Sequence, residues 1–503
     1  MKSKLLFFIL FCAIVARVNA QAPNTLRIFI NGDSTSHLIR TIDDIQTGAI
    51  RTLITRFIDD ETEDFCNIDS VQFVYEEELM GLDYVFDPTV IPELHISVSV
   101  SEWQRLLAMY DKNNHTKQYI ACSALYKKGH DVTLIDSCGL RLRGNTSRRR
   151  PQDNNGNFRH CHFAINFRKY VKDDAHTVST VRKLNLKWFK DDPTYVRELF
   201  CYDLFRRFGV WTGPHDTYCR LFLRVGDGNE VYYGVYNMIE PVDENYLKAR
   251  RNEGFLSDAK GNLWKCEYGA GLNNTNADFW YDDDSDDDHT YTLQTNKSEF
   301  DEAKEQLIDF MLKLNGKGDA SFAQWIAQVC DVDLLLKTYA VNVAVGMWDD
   351  YWNNQNNYYL YFSTTDKYDY KFYFIPFDYD NTLGTSSNCG NQSDAGRQDP
   401  YNWGQHQFPL IRRILNISEY REKYHQYLLQ LTTDGLDLMG VNDATARVLA
   451  WQERIRQYVS NDTGEDMIIE DRPASWGNHN EYRIMDVNSP NNFFRIKASS
   501  IGR

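Results

Sequence analysis

Between Tyr358 and Gly384 the chain reads "YYLYFSTTDKYDYKFYFIPFDYDNTLG", which is two aromatic and aliphatic runs separated by a polar stretch. This pattern predicts two buried strands joined by a turn. Strand pairing must end at Pro376, which has no backbone N–H, and Asp378 and Asp380 follow it. Because the two aspartates are two positions apart, a continued strand would present both carboxylates on one face.

The first half of the chain predicts mainly strands. After Pro92, "ELHISVSVSEWQRLLAMYDK" predicts a strand and then a helix that Ser101 caps. "LIDSCGLRLRG", "CHFAINFRKYV" and "KLNLKWF" predict three more strands, and "CRLFLRVGDGNEVYYGVYNMIE" predicts a hairpin around its "GDGN" turn. "DPTYVRELFCYDLFRRFGV" predicts a helix that begins at Asp192 and Pro193 and ends at Gly209.

Helical periodicity dominates the second half. Three helical segments precede the two strands ("EFDEAKEQLIDFMLKLNG", "DASFAQWIAQVCD" and "DVDLLLKTYAVNVAVGMW"), and three follow them ("FPLIRRILN", "YREKYHQYLLQLTTDG" and "ATARVLAWQERIRQYV"). This order predicts an α+β fold with two lobes and a cleft between them. We expect a small β-rich N-terminal region (21–88), a main domain (89–470) and an irregular C-terminal tail (471–503).

Residues 1–20 have the pattern of a secretory signal peptide. Two lysines precede an apolar run from Leu5 to Val15, and Ala20 is a small residue at the cleavage position. The run is too short to span a membrane stably, and no later run approaches ~18 apolar residues. We therefore expect a secreted, extracytoplasmic protein with no transmembrane segment.

The composition is that of a globular protein, since 42% of the 503 residues are apolar and 14% are aromatic. A formal net charge of −16 argues against a nucleic-acid partner, because nothing offsets repulsion from phosphate backbones. Nine cysteines follow the signal peptide, none in a C-x-x-C pair, so a structural zinc site is not expected. Export permits disulfides, but a core of this size does not need them. The cysteine pairing and the oligomeric state therefore stay open.

The sequence "MWDDYWNNQNN" places Asp349 and Asp350 just before four asparagines, at positions 353, 354, 356 and 357. Carboxylate and amide oxygens are hard ligands that suit Mg²⁺ or Mn²⁺. Asp349 and Asn354 also have the five-residue separation between the catalytic aspartate and the metal-binding asparagine of protein kinases. The alternative is that the asparagines form turns that cap a helix and a hairpin.

A basic segment, "LRLRGNTSRRRP", follows one of the predicted strands. Arg143, Gly144 and Asn145, with Ser147 and Arg148 after them, would present guanidinium groups and backbone amides to a phosphate. The segment is neither a Walker loop nor the glycine loop of protein kinases. Taken alone, it is better interpreted as a basic, solvated turn.

Two further sequence patterns contain residue types that bind metal ions. "WYDDDSDDDHTY" lacks the spacing, glycine and closing glutamate of an EF-hand, so a solvated loop is favoured over a calcium loop. His160 and His162 lie two apart on a predicted strand with no third ligand in sight, which favours a structural role over zinc binding.

Several motifs together resemble the CotH kinase family. They run in order from about Pro92 to Gly384 and include "RLRGNTSR", "YYGVYNMIEPVD", "GNLWKCEYG", "AVNVAVGMWDDYWNNQNNYYLY" and "FIPFDYDNTLG". The resemblance implies an atypical, reduced two-lobed protein-kinase fold. It also implies transfer of phosphate from ATP, with Mg²⁺ or Mn²⁺, to Ser or Thr hydroxyls of secreted or surface proteins.

The resemblance also implies site residues. Asp349 is the better candidate for the catalytic aspartate, because it follows Trp348, and Asp350 is its competitor. The implied metal ligands are Asn357 and Asp378, with Asn354 and Asp380 as helpers. The implied ATP-binding residues are Arg143, Asn145, Ser147, Arg148, Lys187 and, near the base, Glu240.

The chain departs from the family in one strand. Many members have a lysine-rich strand after the R-G-N motif, whereas this chain has "RHCHFAINF". The cation that anchors the phosphates must then be Lys187, Lys169 or Arg148, or be missing. A missing cation would favour the alternative of a catalytically inactive, kinase-like binding or adhesion protein. A carbohydrate-processing enzyme is a weaker third hypothesis, because no pair of carboxylates stands out for it.

Overall fold

The computed structural model describes residues 25–502, except 32, 39–41, 48–50, 57–61, 67, 75–78, 282–287, 386–393, 405–407 and 475–480. The strands are β1 Thr25–Ile30, β2 Asp33–Leu38, β3 Ile42–Thr47, β4 Arg51–Arg56, β5 Thr62–Cys66, β6 Ser70–Val74, β7 Glu93–Val98, β8 Ile120–Lys128, β9 Asp131–Leu142, β10 Phe163–Asn166, β11 Lys183–Lys187, β12 Asp216–Val225, β13 Val231–Ile239, β14 Asn262–Cys266, β15 Phe279–Trp280, β16 Tyr291–Leu293, β17 Tyr358–Phe362 and β18 Phe372–Pro376. The helices are α1 Gly81–Val85, α2 Val100–Lys112, α3 Arg197–Arg207, α4 Glu244–Asn252, α5 Phe300–Gly316, α6 Asp319–Val329, α7 Val332–Ala344, α8 Tyr351–Asn354, α9 Pro409–Leu415, α10 Ser418–Thr432, α11 Val441–Ile455 and α12 Phe493–Ile501.

Seven strands close into a barrel in the order β10-β11-β13-β12-β7-β8-β9. Neighbours pair antiparallel except β12 and β7, which run parallel. Alternate side chains point inward and build one apolar core, which includes Leu94, Leu140 and Phe163. The expected α+β class is therefore confirmed, but the closed barrel was not predicted, because pairing between distant strands is not encoded in local periodicity.

A second sheet, in the order β15-β16-β14-β17-β18, packs among the helices of the second half. The two strands predicted between Tyr358 and Pro376 are confirmed as β17 and β18, which pair antiparallel. Their aromatic side chains face both sides of the sheet, and Tyr358 stacks on Phe374 with ring centroids 4.9 Å apart. Helices α5, α7, α9 and α10 bury their apolar faces in the same core.

Two helix starts differ from the sequence prediction. Ser99, not Ser101, caps α2, since its hydroxyl accepts a hydrogen bond from Glu102 N at 3.2 Å. Helix α3 begins at Arg197 rather than at Asp192, because the Asp192 carboxylate accepts from the backbone amides of the first helical turn and holds the preceding residues in a turn.

The region 21–88 contains two three-stranded sheets, β2-β1-β6 and β3-β4-β5. The predicted signal peptide, residues 1–20, lies outside the described residues. Within the described part of the chain, every helix is too short or too polar to cross a membrane.

The prediction of an irregular tail over residues 471–503 is wrong for its last part, which forms α12. Asn492 caps this helix by accepting a hydrogen bond from Arg495 N at 3.0 Å. Phe493 and Phe494 are fully buried against the helical core. The sequence carried this signal, since the turn residues of "NSPNN" and the capping residue Asn492 directly precede the apolar residues of "FFRIKASSI".

The sheet that carries the candidate site depends on a close backbone approach at Gly261. A Cβ atom there would lie 1.7 Å from the carbonyl oxygen of Phe362, which is backbone and cannot rotate away. We expect Gly261→Ala to lower the free energy of unfolding by about 3 kcal/mol or more, because β14 and β17 must separate. Gly316→Ala is the matched control, since nothing lies within 4 Å of its added Cβ, and its effect should stay within about 0.5 kcal/mol. Denaturant unfolding measures both, and equal stabilities would contradict the close approach.

Candidate active site

A cavity of about 1140 Å³ lies between the barrel and the second sheet. Its described lining comes from β9, β10 and β11, from β14, and from the segments that follow α7 and β18. Nine Lys and Arg side chains and eight Asp and Glu side chains are among these lining residues. In a protein of net charge −16, this concentration of cations beside acids suits a phosphate-bearing ligand and a counter-ion.

Lys187, the last residue of β11, is the electrostatic centre of the site. Its ammonium contacts Glu198 Oε2 at 2.9 Å, Asp380 Oδ2 at 3.1 Å and, most closely, the Asp378 carboxylate. Burial opposes the charge on Lys187, but the three carboxylates outweigh it and raise the pKa of the ammonium well above its ordinary value. The lysine therefore stays charged at any physiological pH.

Glu198 comes from the first turn of α3, and sequence reasoning missed it. Its Oε1 accepts a hydrogen bond from Tyr379 N at 3.2 Å, while Tyr202 OH, one turn further along α3, accepts from Asp378 N at 3.0 Å. Helix α3 thus holds the backbone of the turn that carries both aspartates. The available signal was an acidic residue just before the apolar residues at the start of this helix, eleven positions after Lys187.

The two aspartates after β18 converge, but not through a continued strand as the sequence suggested. Asp378 has a φ of +64°, so the chain turns sharply once pairing ends at Pro376. Left-handed backbone is uncommon outside glycine and clusters at functional sites, although Asp tolerates it better than most residues. The turn brings both carboxylates to one ammonium.

Asp349 lines the cavity inside a ring of asparagine amides. Asn354 and Asn356 donate to its Oδ1 at 2.5 and 3.2 Å, and Asn357 donates to its Oδ2 at 2.9 Å. Burial raises the pKa of the Asp349 carboxyl, the asparagine hydrogen bonds partly oppose this, and the negative charge of Asp378 adds to it. Asn354 and Asn357 therefore fix the orientation of Asp349.

Asp350 has a different position from its neighbour. It is 4% exposed, is absent from the described lining, and caps α8 by accepting from Asn353 N at 2.7 Å. Burial raises the pKa of Asp350 to about 7. Its other oxygen accepts from Asn342, whose own Oδ1 accepts from Tyr379 OH at 2.8 Å, so Asp350 links α8 to the Asp378 turn.

The basic segment after β9 forms a tight loop at the cavity wall. Gly144 has a φ of +100°, and a Cβ there would lie 2.6 Å from Ser147 Oγ, so the turn requires glycine. Asn145 and Ser147 line the cavity as predicted candidates. Arg148 also lines it, but its guanidinium donates to the carbonyl of Gly144 at 2.9 Å and to that of Thr116 at 2.8 Å, which braces the loop.

Arg143, the residue before Gly144, also lines the cavity, and its charge interacts with those of Asp378 and Glu198. Burial lowers the pKa of Arg143, and the negative charge of Asp378 opposes that shift. Arg143 is thus a further cation near Asp378. Lys169, the other candidate for a phosphate anchor, lines the cavity further out, over the ring of Tyr119.

Glu240 does not belong to the described cavity lining, contrary to its expected place near a base. It is 3% exposed and accepts from Arg250 Nη2 at 2.8 Å and from His215 N at 3.1 Å. Burial alone would raise its pKa, but Arg250 and His215 lower the pKa of Glu240 to about 2. The buried pair fixes the crossing from β13 to α4, and the neighbouring Val242 reaches the cavity instead.

His160 and His162, which were predicted on a strand, lie just before β10 instead, and both make contacts with backbone atoms. His162 Nδ1 accepts from Trp188 N at 3.1 Å, and His160 Nε2 lies 2.7 Å from the carbonyl oxygen of Tyr233. Of the acidic run in "WYDDDSDDDHTY", residues 282–287 lie outside the described residues. In the described part of the chain, no group of three or more His, Cys, Asp and Glu side chains is arranged to hold a metal by itself.

The residues present nevertheless fit a divalent ion that shares its ligands with a phosphate. Asp380 Oδ1 is buried and accepts no hydrogen bond from any described residue. Burial and the charge of Asp378 raise the pKa of Asp380 to about 8, although Lys187 opposes the shift. Mg²⁺ is commonly held by one or two carboxylates together with substrate phosphates and water. Asp378 and Asp380 supply that donor set.

Comparison with known proteins gives a family match that covers the residues of the candidate site. A family model described as "CotH kinase protein" matches residues 140–486, more than half of the chain, beginning in β9 just before the Gly144 loop. The match includes Lys187, Glu198, Asp349 and the Asp378 turn. A search of curated proteins found no match.

The buried Glu240–Arg250 ion pair should make the folded chain less stable in acid. Because the pKa of Glu240 falls from 4.5 to about 2 on folding, its contribution to stability is complete above pH 4.5 and is lost as the pH falls towards 2. The contribution is about 3 kcal/mol, from the size of the shift. We expect Glu240→Gln to be less stable than the native chain at pH 7, and the difference to shrink between pH 4.5 and 2. Urea unfolding at several pH values measures this difference, and a gap that does not depend on pH would contradict the buried charge.

Proposed function

We propose that this chain, which belongs to the CotH kinase family, is an exported, metal-dependent protein kinase that transfers the γ-phosphate of ATP to Ser or Thr hydroxyls of secreted or surface proteins. The observation that carries the proposal is the ion pair between Lys187 of β11 and Glu198 of α3, in contact with Asp378 and Asp380. A strand lysine, a helix glutamate and a metal-binding aspartate in one site are the parts that phosphoryl transfer by kinases requires.

The phosphates of the nucleotide would bind at the barrel side of the cavity. Lys187 and Arg143 supply positive charge, and the backbone amides around Gly144 supply donors for phosphate oxygens. Apolar lining side chains, among them Ile165, Leu184 and Val242, offer a surface for the base. The volume of about 1140 Å³ leaves room for part of an acceptor peptide beside the nucleotide.

Asp349 is the proposed general base. Its carboxylate lines the cavity, and its asparagine neighbours hold it in one orientation for a Ser or Thr hydroxyl. When bound at Asp378 and Asp380, Mg²⁺ or Mn²⁺ would neutralise charge on the transferred phosphate. The amide oxygens of Asn354 and Asn357 remain as additional acceptors, because their NH₂ groups donate to Asp349.

The cation of this kinase would come from the strand next to the one that carries lysines in many family members. Histidines lie directly before β10, and β11, its antiparallel neighbour, ends at Lys187. The inactive, binding-protein alternative rested in part on the absence of such a cation, so the Lys187–Glu198 pair supports the catalytic hypothesis. We interpret the barrel and the helical part as the two lobes of a kinase-like fold.

The proposed location outside the cytoplasm rests on residues 1–20 alone. Their charged start, apolar run and small residue at position 20 are those of a signal peptide. The acceptor would then be a protein met along the export route or at the cell surface.

The direct test is transfer of labelled phosphate from ATP to a generic acceptor protein with Mg²⁺ or Mn²⁺. We expect Lys187→Met to lower the rate on the order of 10²–10³-fold, because the phosphates lose their buried cation. Asp378→Ala should abolish metal-dependent transfer. Lys248→Met, a surface change on α4, is the control. If the native chain transfers no phosphate and binds no nucleotide, the proposal is wrong, whereas binding without transfer would favour the inactive alternative.

Substitutions of the two neighbouring aspartates, Asp349 and Asp350, should affect the rate of phosphate transfer differently. Asp349→Asn should lower kcat by about 10²–10⁴-fold with little change in nucleotide affinity, because it removes a base and keeps the shape of the side chain. Asp350→Asn should retain far more activity and lose stability, because it weakens the cap of α8 and the contact with Asn342. Steady-state kinetics and thermal unfolding measure both variants, and the reverse order would assign the base to Asp350.

A further inference from the structure

Two cysteines face each other across the β8–β9 hairpin of the barrel. Cys122 and Cys138 are register partners, and both point into the core, 6% and 0% exposed. Directly opposed residues of antiparallel strands have Cα atoms ~4.5–5.5 Å apart, within the range that a disulfide spans. Neither strand would need to move to bring the sulfur atoms together.

The Cys122 thiol is influenced by that of Cys138. The Cys138 thiol donates to the carbonyl of Ile135 at 3.2 Å. The hydrogen bond with Cys138, and then burial, raise the pKa of the Cys122 thiol well above its ordinary value. Because only the thiolate attacks a disulfide, the bond would form while the hairpin is open, during folding or local opening.

The pairing of β8 and β9 is irregular beside these cysteines. The register shifts between Cys122 and Ala124, and Ser137, next to Cys138, has a φ of +58°. A bulge locally disrupts the ladder and leaves a residue unpaired. A covalent bond at this position would fix the register of the hairpin where the hydrogen bonds are interrupted.

The other buried barrel cysteines offer a contrast. Cys219 of β12 pairs with Tyr236, so its register partner is not a cysteine. Cys161 lies in the same core, beside Arg149 and Glu465 rather than beside another described thiol. A cysteine in the barrel core does not therefore always lie opposite another cysteine, as Cys122 and Cys138 do.

We propose that Cys122 and Cys138 are a redox-modification site that forms an intramolecular disulfide with a small disulfide oxidant such as oxidised glutathione. One cysteine thiolate attacks the oxidant, which releases one glutathione thiol and leaves a mixed disulfide. The second cysteine then displaces the other glutathione. Two S–H bonds of the protein and one S–S bond of the oxidant are exchanged for one protein S–S bond and two glutathione thiols. This inference does not depend on kinase activity.

The bond has a consequence for the candidate active site. β9 continues from Cys138 to Leu142 and then into Arg143 and Gly144. A cross-link at Cys138 would anchor the strand that positions this loop. We expect the oxidised chain to melt at a higher temperature than the reduced chain, because the bond restricts the unfolded state.

The test is peptide mapping of the purified full chain after equilibration in glutathione buffers of graded redox potential. One arm starts from the folded chain, and the other folds the chain from denaturant in the same buffers. Free thiols are alkylated in acid-quenched denaturant before digestion without reductant. We expect a linked Cys122–Cys138 peptide in the oxidising buffers, and two alkylated peptides in the reducing ones.

Variants make the assignment specific. Cys122→Ser and Cys138→Ser should each abolish the linked peptide and the redox dependence of the melting temperature. Cys219→Ser, in the same barrel, should retain both. Recovery of both cysteines as alkylated thiols in both arms at the most oxidising potential would overturn the proposal, as would a peptide that links either cysteine to a different one.

Discussion

One buried ammonium group, that of Lys187, organises the candidate site. Three carboxylates, from Glu198, Asp378 and Asp380, converge on it. Lys187 does not by itself neutralise three anions, and a buried excess of negative charge is costly. The raised pKa of Asp380, to about 8, is the local expression of that excess. Additional positive charge would stabilise a site of this kind. A divalent ion bound at the aspartates would supply that charge.

The convergence depends on backbone that is held from several directions. Helix α3 fixes the Asp378 turn through Glu198 and Tyr202, and most of its side chains are buried in the helical core. From the other side, Asn342 of α7 connects the same turn to Asp350. The turn that carries the metal-binding candidates and the segment that carries Asp349 are therefore parts of one hydrogen-bonded unit, in which a shift of either would disturb the other.

Much of this architecture was predictable from the sequence, and the exceptions have physical reasons. The helices of the second half and strands β17 and β18 follow from periodicity, since each is a continuous apolar pattern. The spacing of Asp349 from the asparagines, and the two aspartates after Pro376, marked residues that do line one cavity. The barrel was missed because its closure joins β9 to β10 and β12 to β7, and such pairings leave no local signature.

The roles of single side chains were harder to predict from the sequence than the helices and strands. The family resemblance placed Glu240 near the base of the nucleotide, but Arg250 pairs with it and removes it from the cavity. Glu198 was missed because its partner is on another element, and only tertiary structure shows that they meet. The Ser99 cap was missed by two residues, since either of two nearby serines satisfies the capping pattern.

The histidines that precede β10 show how the end of β11 is held although the chain departs from the family pattern there. Burial lowers the pKa of His162 well below its ordinary value, and the positive charge of Lys187 lowers it further. His162 is therefore neutral and does not replace a lysine as a cation. Its Nδ1 instead accepts the hydrogen bond from Trp188 N, directly after Lys187. A protonated histidine would lose that acceptor and repel the ammonium. The neutral ring just before β10 therefore holds the end of β11 where its lysine meets three carboxylates.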